Sequence, residues 1–222
     1  MLSPIENDQY KKYLSALVNG KRRVCYEIVD HTKKKMTSMT DLYTHLFQKS
    51  LYEVGKLWEF NHISVAVEHA ATAITETLMN NVYADIEQLN STNYRVLIAS
   101  VPNEYHQIGA KMVADIFEIN GWDAWYLGAN TPTVDVIRLA NDIKPHIIAL
   151  SLSVYFHISE LIAMIQTIQN NISRCQIIIG GQAFNHNNGE AFANQFSGVD
   201  YIKSLDQLEQ YIKSYQNEEI IK

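Results

Sequence analysis

The chain has 222 residues, of which 47% are hydrophobic, and it carries a formal net charge of −6. This composition is typical of a globular protein that can fill one large domain or two modest ones. The acidic balance argues against a nucleic-acid surface, because neutralising phosphates requires clustered Lys and Arg. The one basic cluster, between residues 11 and 35, is expected to be a solvated helix face.

The expected compartment is the cytoplasm. No run approaches the roughly 20 apolar residues of a membrane span, and the first eight residues are too polar for a signal peptide. Cys25 and Cys175 lie far apart in apolar contexts, which favours two reduced core thiols over a disulfide.

Residues 1–89 show apolar side chains at helical spacing, with Gly and Pro nearly absent after Pro4. Breaks in this pattern separate four predicted helices, and the short connections favour antiparallel neighbours. The helices are expected at residues 5–18, 21–33, 39–60 and 63–88. The sequence therefore predicts a four-helix bundle that serves as a cap domain.

After a polar linker at residues 88–93, the pattern changes to alternating strands and helices. Strands are expected at residues 96–101, 124–127, 147–152, 176–179 and 199–202. Alternation of this kind predicts a doubly wound, five-stranded parallel sheet of the flavodoxin or Rossmann type. We expect this second domain to cover residues 94–216.

Glu104-x-His106-x-x-Gly109 follows the first predicted strand. Ligands bind at the carboxyl edge of open parallel sheets, and a helix that begins near residue 108 aims its amide groups at the same place. A carboxylate that accepts a hydrogen bond from one imidazole nitrogen strengthens the other as a metal ligand. The absence of a Cβ at Gly109 lets a ligand approach closely.

Small residues also end the third and fourth predicted strands, as Ser151-Leu152-Ser153 and Gly180-Gly181. Together they can leave a slot for a long, narrow ligand tail. The alternative is that the two glycines make a tight turn and that Ser153 caps a helix.

From Tyr94 to Tyr211, these motifs resemble the cobalamin-binding domain family. The resemblance implies a cobalamin whose own base has left the cobalt, with His106 as the metal ligand from below. The detached tail would lie in a slot lined by Gly128, Ser151, Ser153, Gly180 and Gly181. The family pattern has Asp where this chain has Glu104, and the extra methylene predicts a looser hydrogen bond to His106.

In the helical half, Trp58 is followed after nine residues by Glu68-His69. This spacing resembles the signature of cobalamin-dependent photoreceptor repressors and antirepressors, in which a bundle covers the upper face of the cobalt. The resemblance implies that these three side chains enclose a deoxyadenosyl group. Taken singly, Trp58 reads as a bundle-core aromatic, and Glu68 and His69 as a solvated helix face.

Two departures from the photoreceptors matter. Glu59 stands where they have a second cobalt-binding His, so that after photolysis either His62, His69 or His157 replaces it or the cobalt carries water. The DNA-reading domain usual in that family is also not expected here, which leaves a protein partner or self-association to transmit any signal.

The leading hypothesis is a light sensor, and not an enzyme, in which photolysis of bound adenosylcobalamin changes conformation or association. The alternative is a corrinoid carrier protein of a methyltransferase system, which needs an accessible upper face. A third hypothesis is a sensor that binds a bilin as well as cobalamin, with the bilin held noncovalently in the tyrosine-rich helical half.

Overall fold

A computed structural model describes residues 5–36, 38–84, 91–173, 175–185 and 188–220. The chain forms two compact units, residues 1–87 and 88–222. The end of the predicted fourth helix and the first part of the predicted linker, at residues 85–90, lie outside the described residues.

The first unit is helical, as predicted. Its helices α1 to α5 and a π-helical segment bury one apolar face each, with Tyr13, Phe47 and Leu78 among the buried side chains. Ser38 and Ser64 cap two of the helices, since their hydroxyls accept hydrogen bonds from the backbone N–H groups of Asp41 and Val67. The elements are α1 Asn7–Val18, α2 Arg22–Lys33, α3 Met39–Leu42, the π-helix Tyr43–Gln48, α4 Lys49–Glu59 and α5 Val65–Tyr83.

The second unit is a five-stranded sheet in which every pairing is parallel. The strand order β2-β1-β3-β4-β5 is that of a flavodoxin-like doubly wound sheet, so the predicted fold class is confirmed. The strands are β1 Arg95–Ser100, β2 Asp123–Tyr126, β3 Ile147–Ser151, β4 Gln176–Gly180 and β5 Val199–Tyr201. Each begins or ends within one residue of its predicted bounds.

Helices cover both faces of this sheet, which explains why the central strands are apolar almost throughout. On one face, Leu97, Leu150 and Ile179 pack with Leu161 and Ile165 of a covering helix. The helices are α6 Ile108–Ile119, α7 Thr133–Ile143, α8 Ile158–Asn171, α9 Gly189–Ala193 and α10 Leu205–Ile220, with short 3-10 turns at Tyr155–His157 and Gln182–Phe184. Among the residues that the structure describes, none of the helices combines the length and hydrophobicity needed to span a bilayer.

Candidate functional site

The candidate site lies at the carboxyl edge of the sheet, on the loop between β1 and α6. We call residues 101–107 the histidine loop. Asn103 has a left-handed backbone, with φ of 66°, and the N–H of Glu104 donates to the carbonyl of Val101. This tight turn buries the side chain of Glu104, which is 1% exposed, and leaves that of His106 60% exposed. An orienting carboxylate thus lies beneath an accessible imidazole.

The carboxylate of Glu104 holds His106 at two atoms. Its Oε1 lies 2.5 Å from Nδ1 of His106 and accepts a hydrogen bond of 3.0 Å from the backbone N–H of the same residue. The predicted loosening by the extra methylene is therefore wrong. The longer side chain still reaches the imidazole at short range.

The second oxygen of Glu104 reaches the loop that follows β3, residues 152–157, which we call the aromatic loop. Oε2 accepts hydrogen bonds from the backbone N–H groups of Ser153 at 2.9 Å and Val154 at 2.8 Å. Burial by itself raises the pKa of Glu104. The four hydrogen bonds outweigh burial and lower the pKa from 4.5 to about 2.

At neutral pH, Glu104 is therefore ionised and can only accept hydrogen bonds. Nδ1 of His106 must then carry the proton, which leaves Nε2 as the nitrogen suited to a metal ion. This is the arrangement by which proteins orient metal-binding histidines.

Exposed aromatic side chains lie on both loops of the site. Tyr105 on the histidine loop is 70% exposed, and Phe156 on the aromatic loop is 85% exposed. Val154 and Tyr155 are also exposed. Large apolar side chains grouped on an exposed edge are a common mark of a surface that a ligand or partner covers.

The glycines of the predicted motifs differ in their surroundings. A Cβ on Gly109, in the first turn of α6, would meet nothing within 4 Å, so there is open space beside the histidine loop. Gly128, after β2, has φ of 75°, and its carbonyl accepts a hydrogen bond from the N–H of Ser100.

The Gly180-Gly181 pair is explained by the chain itself. A Cβ on Gly180 would lie 2.9 Å from the carbonyl oxygen of Ile202. Gly181 has φ of 116°, and a Cβ there would overlap the backbone of Leu152. These contacts agree with the tight-turn alternative, and the turn requires no ligand.

Ser151 and Ser153 lie at and after the end of β3, at the same edge. Ser151 pairs in the sheet with Ser100 and Gly180. The alternative in which Ser153 caps a helix is wrong, because α8 begins only at Ile158, after the 3-10 turn. The residue before α8 is His157, which is half-buried and forms no side-chain cap bond.

In the helical unit, Trp58 lies in the last turn of α4 and is 48% exposed. The reading as a bundle-core aromatic is therefore wrong. In α5, Glu68 accepts a hydrogen bond of 3.0 Å from the hydroxyl of Thr72, and its Oε2 lies 3.5 Å from Nε2 of the exposed His69. Glu59 is exposed as well.

Sequence reasoning missed three contributors to the site. Ser100 is fully buried at the end of β1, and its hydroxyl has no hydrogen-bond partner among the described residues. Asn130 accepts from the N–H of Asn103 and donates its own N–H to the carbonyl of Glu104. Val154 supplies an amide to Glu104. The left-handed backbone of Asn103 and Asn130 is a frequent property of asparagine and was the only available signal.

The second unit matches a known protein family. A family model described as B12 binding domain matches residues 94–207, which is more than half of the chain. The chain belongs to the B12-binding family. A second model with the same description matches residues 9–83 of this B12-binding chain.

Individual relatives agree with the family. Trimethylamine corrinoid protein 1 of Methanosarcina acetivorans is 24% identical over 143 residues, 63% of this chain and 66% of the relative, which is just under two thirds of its length. A monomethylamine corrinoid protein of Methanosarcina barkeri superposes with a TM-score of 0.76 at 12% identity, over 93% of this chain and 98% of that one.

The methanol:cobalamin methyltransferase complex MtaBC of Methanosarcina barkeri gives a TM-score of 0.51 at 14% identity, over 95% of this chain and 80% of that chain. At these identities, the two structural matches show a shared fold.

The residues present fit a corrinoid. The cobalt of a corrinoid would take one ligand from the protein. Nε2 of the exposed His106, oriented by Glu104, can be that ligand. The open space at Gly109 and the exposed aromatic side chains leave room and apolar surface for a large planar group.

Proposed function

We propose that this chain is a corrinoid carrier protein of a methyltransferase system. The observation that carries the proposal is that both halves of the chain match B12-binding models and that the curated relative is named a corrinoid protein. The carrier was the alternative in the sequence analysis, and the comparisons favour it over the light sensor. In this role the chain is not itself the enzyme.

The proposed partner follows from the same comparisons. One structural neighbour is a complex with a methyltransferase, so we infer that a methyltransferase subunit docks on this chain.

Both cysteines are free, as expected for a protein that works in the reducing cytoplasm.

When bound, a corrinoid supplies a cobalt ion that can accept a methyl group from a donor and release it to an acceptor. The chain holds and orients that group. Nε2 of His106 is proposed as the metal ligand, and Glu104 keeps the proton on Nδ1. Cofactor-binding roles are also proposed for Gly128, Ser151, Ser153, Gly180 and Gly181, and for Trp58, Glu68 and His69.

A light sensor remains the second candidate because of one feature, the exposed Trp58 with Glu68 and His69 at the spacing of the photoreceptors. The relatives described above are named as corrinoid and methyltransferase proteins. Neither adenosylcobalamin nor a bilin gains support from those names.

One experiment separates the candidates. The full chain is loaded in the dark with methylcobalamin or with adenosylcobalamin, and affinity is measured by equilibrium dialysis. A carrier binds methylcobalamin at least as tightly as adenosylcobalamin, and its hydrodynamic size is the same before and after green light. A preference for adenosylcobalamin together with a light-dependent change in size would replace the carrier with the sensor, and failure to bind either compound would refute both.

A further inference from the structure

The carboxylate of Glu104 belongs to two loops at once. Through Oε1 it holds the backbone and the imidazole of His106. Through Oε2 it holds the amides of Ser153 and Val154, which lie 49 and 50 residues further along the chain. All four donors are N–H groups, and three of them belong to the backbone.

We propose that Glu104 is a positioning residue that fastens the aromatic loop to the histidine loop, so that one carboxylate sets both the metal-binding imidazole and the apolar surface beside it. The identity of the ligand, a corrinoid, rests on the proposed function. The fastening itself is a property of the unloaded protein and can be tested without any cofactor.

The length of the side chain is the feature that makes the two-loop contact possible. Aspartate would draw the carboxylate back by about 1.5 Å, the length of one carbon–carbon bond. The bonds of 2.9 Å and 2.8 Å to the amides of Ser153 and Val154 would then exceed hydrogen-bonding distance, unless the loop moved. His106 is only two residues away and stays within reach. Glu104→Asp therefore removes the link to the aromatic loop and keeps the hold on the imidazole.

Glutamine has the opposite effect to aspartate on the two roles of Glu104, the link to the aromatic loop and the orientation of the His106 imidazole. If its amide nitrogen took the place of Oε2, it would face two N–H donors, so the carbonyl oxygen must occupy that position. The nitrogen then takes the place of Oε1, where it donates to Nδ1 of His106 and gives up only the one bond from the backbone N–H of that residue. The proton of the imidazole moves to Nε2. The nitrogen that is proposed to bind the metal ion is then protonated and has no free electron pair. Glu104→Gln therefore keeps the link between the loops and inverts the tautomer.

Ser153 provides a matched control. Its contribution to the contact is a backbone N–H, which alanine also has. If the fastening works as proposed, Ser153→Ala leaves it unchanged. A serine hydroxyl that held the site would give the opposite result.

The first measurement is hydrogen exchange of the Ser153 and Val154 amides in the unloaded full-length chain. Both amides should be protected in the parent protein, Glu104→Gln and Ser153→Ala. In Glu104→Asp they should exchange about tenfold faster, the effect of losing one typical hydrogen bond. The amide of Ile98 in β1 serves as an internal reference for folding, since it lies in the sheet.

The second measurement concerns the axial ligand after loading with cobalamin and reduction to the paramagnetic form. Isotopically labelled histidine changes the splitting of the electron paramagnetic resonance lines if an imidazole is bound. The splitting should persist in the parent and in Glu104→Asp. In Glu104→Gln it should weaken, with an affinity about 10-fold to 100-fold lower, as for other orienting partners of metal ligands.

The outcomes are distinct. Unprotected Ser153 and Val154 amides in the parent protein would overturn the fastening, and this outcome does not depend on whether a variant folds. Unchanged exchange of these amides in Glu104→Asp would also overturn it. Equal loss of protection in Ser153→Ala would also overturn it. A parent protein with protected amides that binds no cobalamin would refute the proposed function and leave the fastening intact.

Discussion

At the scale of single residues, the site depends on an exposed imidazole that a buried acid orients. We expect His106→Ala to bind cobalamin much more weakly, because the substitution removes the proposed metal ligand and leaves the sheet edge otherwise intact. Equilibrium dialysis gives the affinity, and the absorption spectrum reports the axial ligand. His31→Ala is the control, because His31 is an exposed side chain of α2. Equally tight capture by His106→Ala, with the cofactor's base detached, would contradict the proposed ligand.

The buried acid also predicts a pH dependence of stability. The pKa of Glu104 is about 2 in the folded protein and 4.5 as an ordinary value, so the unfolded chain binds more protons between these limits. Stability from Glu104 is therefore complete above pH 4.5 and is lost as the pH falls towards 2. The difference amounts to roughly 3 kcal/mol, of which about 2 kcal/mol is lost between pH 7 and pH 3.

Urea unfolding at the two pH values measures this contribution. A Trp58→Phe background leaves Trp122 and Trp125, both in the second unit, as the fluorescent reporters. Glu104→Gln in that background should lack this part of the pH dependence, because glutamine does not titrate. If both proteins lose the same stability on acidification, Glu104 is not the source.

At this scale, sequence reasoning reached the pair of Glu104 and His106 because both residues lie on one short loop. It missed the amides of Ser153 and Val154, because that contact joins residues about 50 positions apart and depends on how β1 and β3 align. The prediction of a loose hydrogen bond was wrong because it considered the length of the side chain without the backbone of the loop, which sets where the carboxylate and the imidazole lie.

At the scale of elements, two glycines should respond in opposite ways to alanine. Gly109 lies in the first turn of α6 with open space around it, so Gly109→Ala should stabilise the unloaded protein by up to about 1 kcal/mol. The same methyl group should weaken cobalamin binding, since it occupies the proposed ligand space. Gly181→Ala should destabilise by about 1 to 3 kcal/mol, because its backbone conformation and the backbone of Leu152 exclude a side chain.

Thermal unfolding and dialysis on each variant provide the two readings. Weaker binding in Gly109→Ala with undiminished stability would link that glycine to the ligand. Unchanged affinity would show that the space at Gly109 has no part in binding. A Gly181→Ala protein as stable as the parent would mean that the turn adapts easily.

The elements themselves were largely predictable, because apolar residues recur with periods that differ between helices and strands. The π-helical segment Tyr43–Gln48 was not. Its residues carry an ordinary helical pattern, and the widened turn buries Tyr43, Leu46 and Phe47 together. Such a local change in hydrogen bonding follows from packing within the unit and has no signature in the spacing.

At the scale of the whole molecule, the fold could be predicted further than the function. Motif spacing predicted a corrinoid site, but the same Trp58, Glu68 and His69 that suggested a light sensor lie in a unit that also matches a B12-binding model. A helical unit of this family is compatible with either role. Its residue types do not by themselves decide which corrinoid is bound.

Cobalamin should stabilise the second unit more than the first. Ligand at one hundred times its dissociation constant adds about 2.7 kcal/mol to the state that binds it. Glu104, His106 and Gly109 all belong to residues 88–222, so the unfolding transition of that unit should move to higher temperature. His106→Ala should lose most of this shift.

The proposed role of the helical unit adds a further expectation. If Trp58 contributes to cobalamin binding, Trp58→Ala should reduce the thermal shift that cobalamin produces, because part of the apolar contact is gone. Tyr26→Ala is a matched control, since Tyr26 is 49% exposed and Trp58 is 48% exposed, both on the same unit. Calorimetry of the loaded and unloaded proteins measures the shifts. An identical shift in Trp58→Ala and Tyr26→Ala would remove Trp58 from the binding surface.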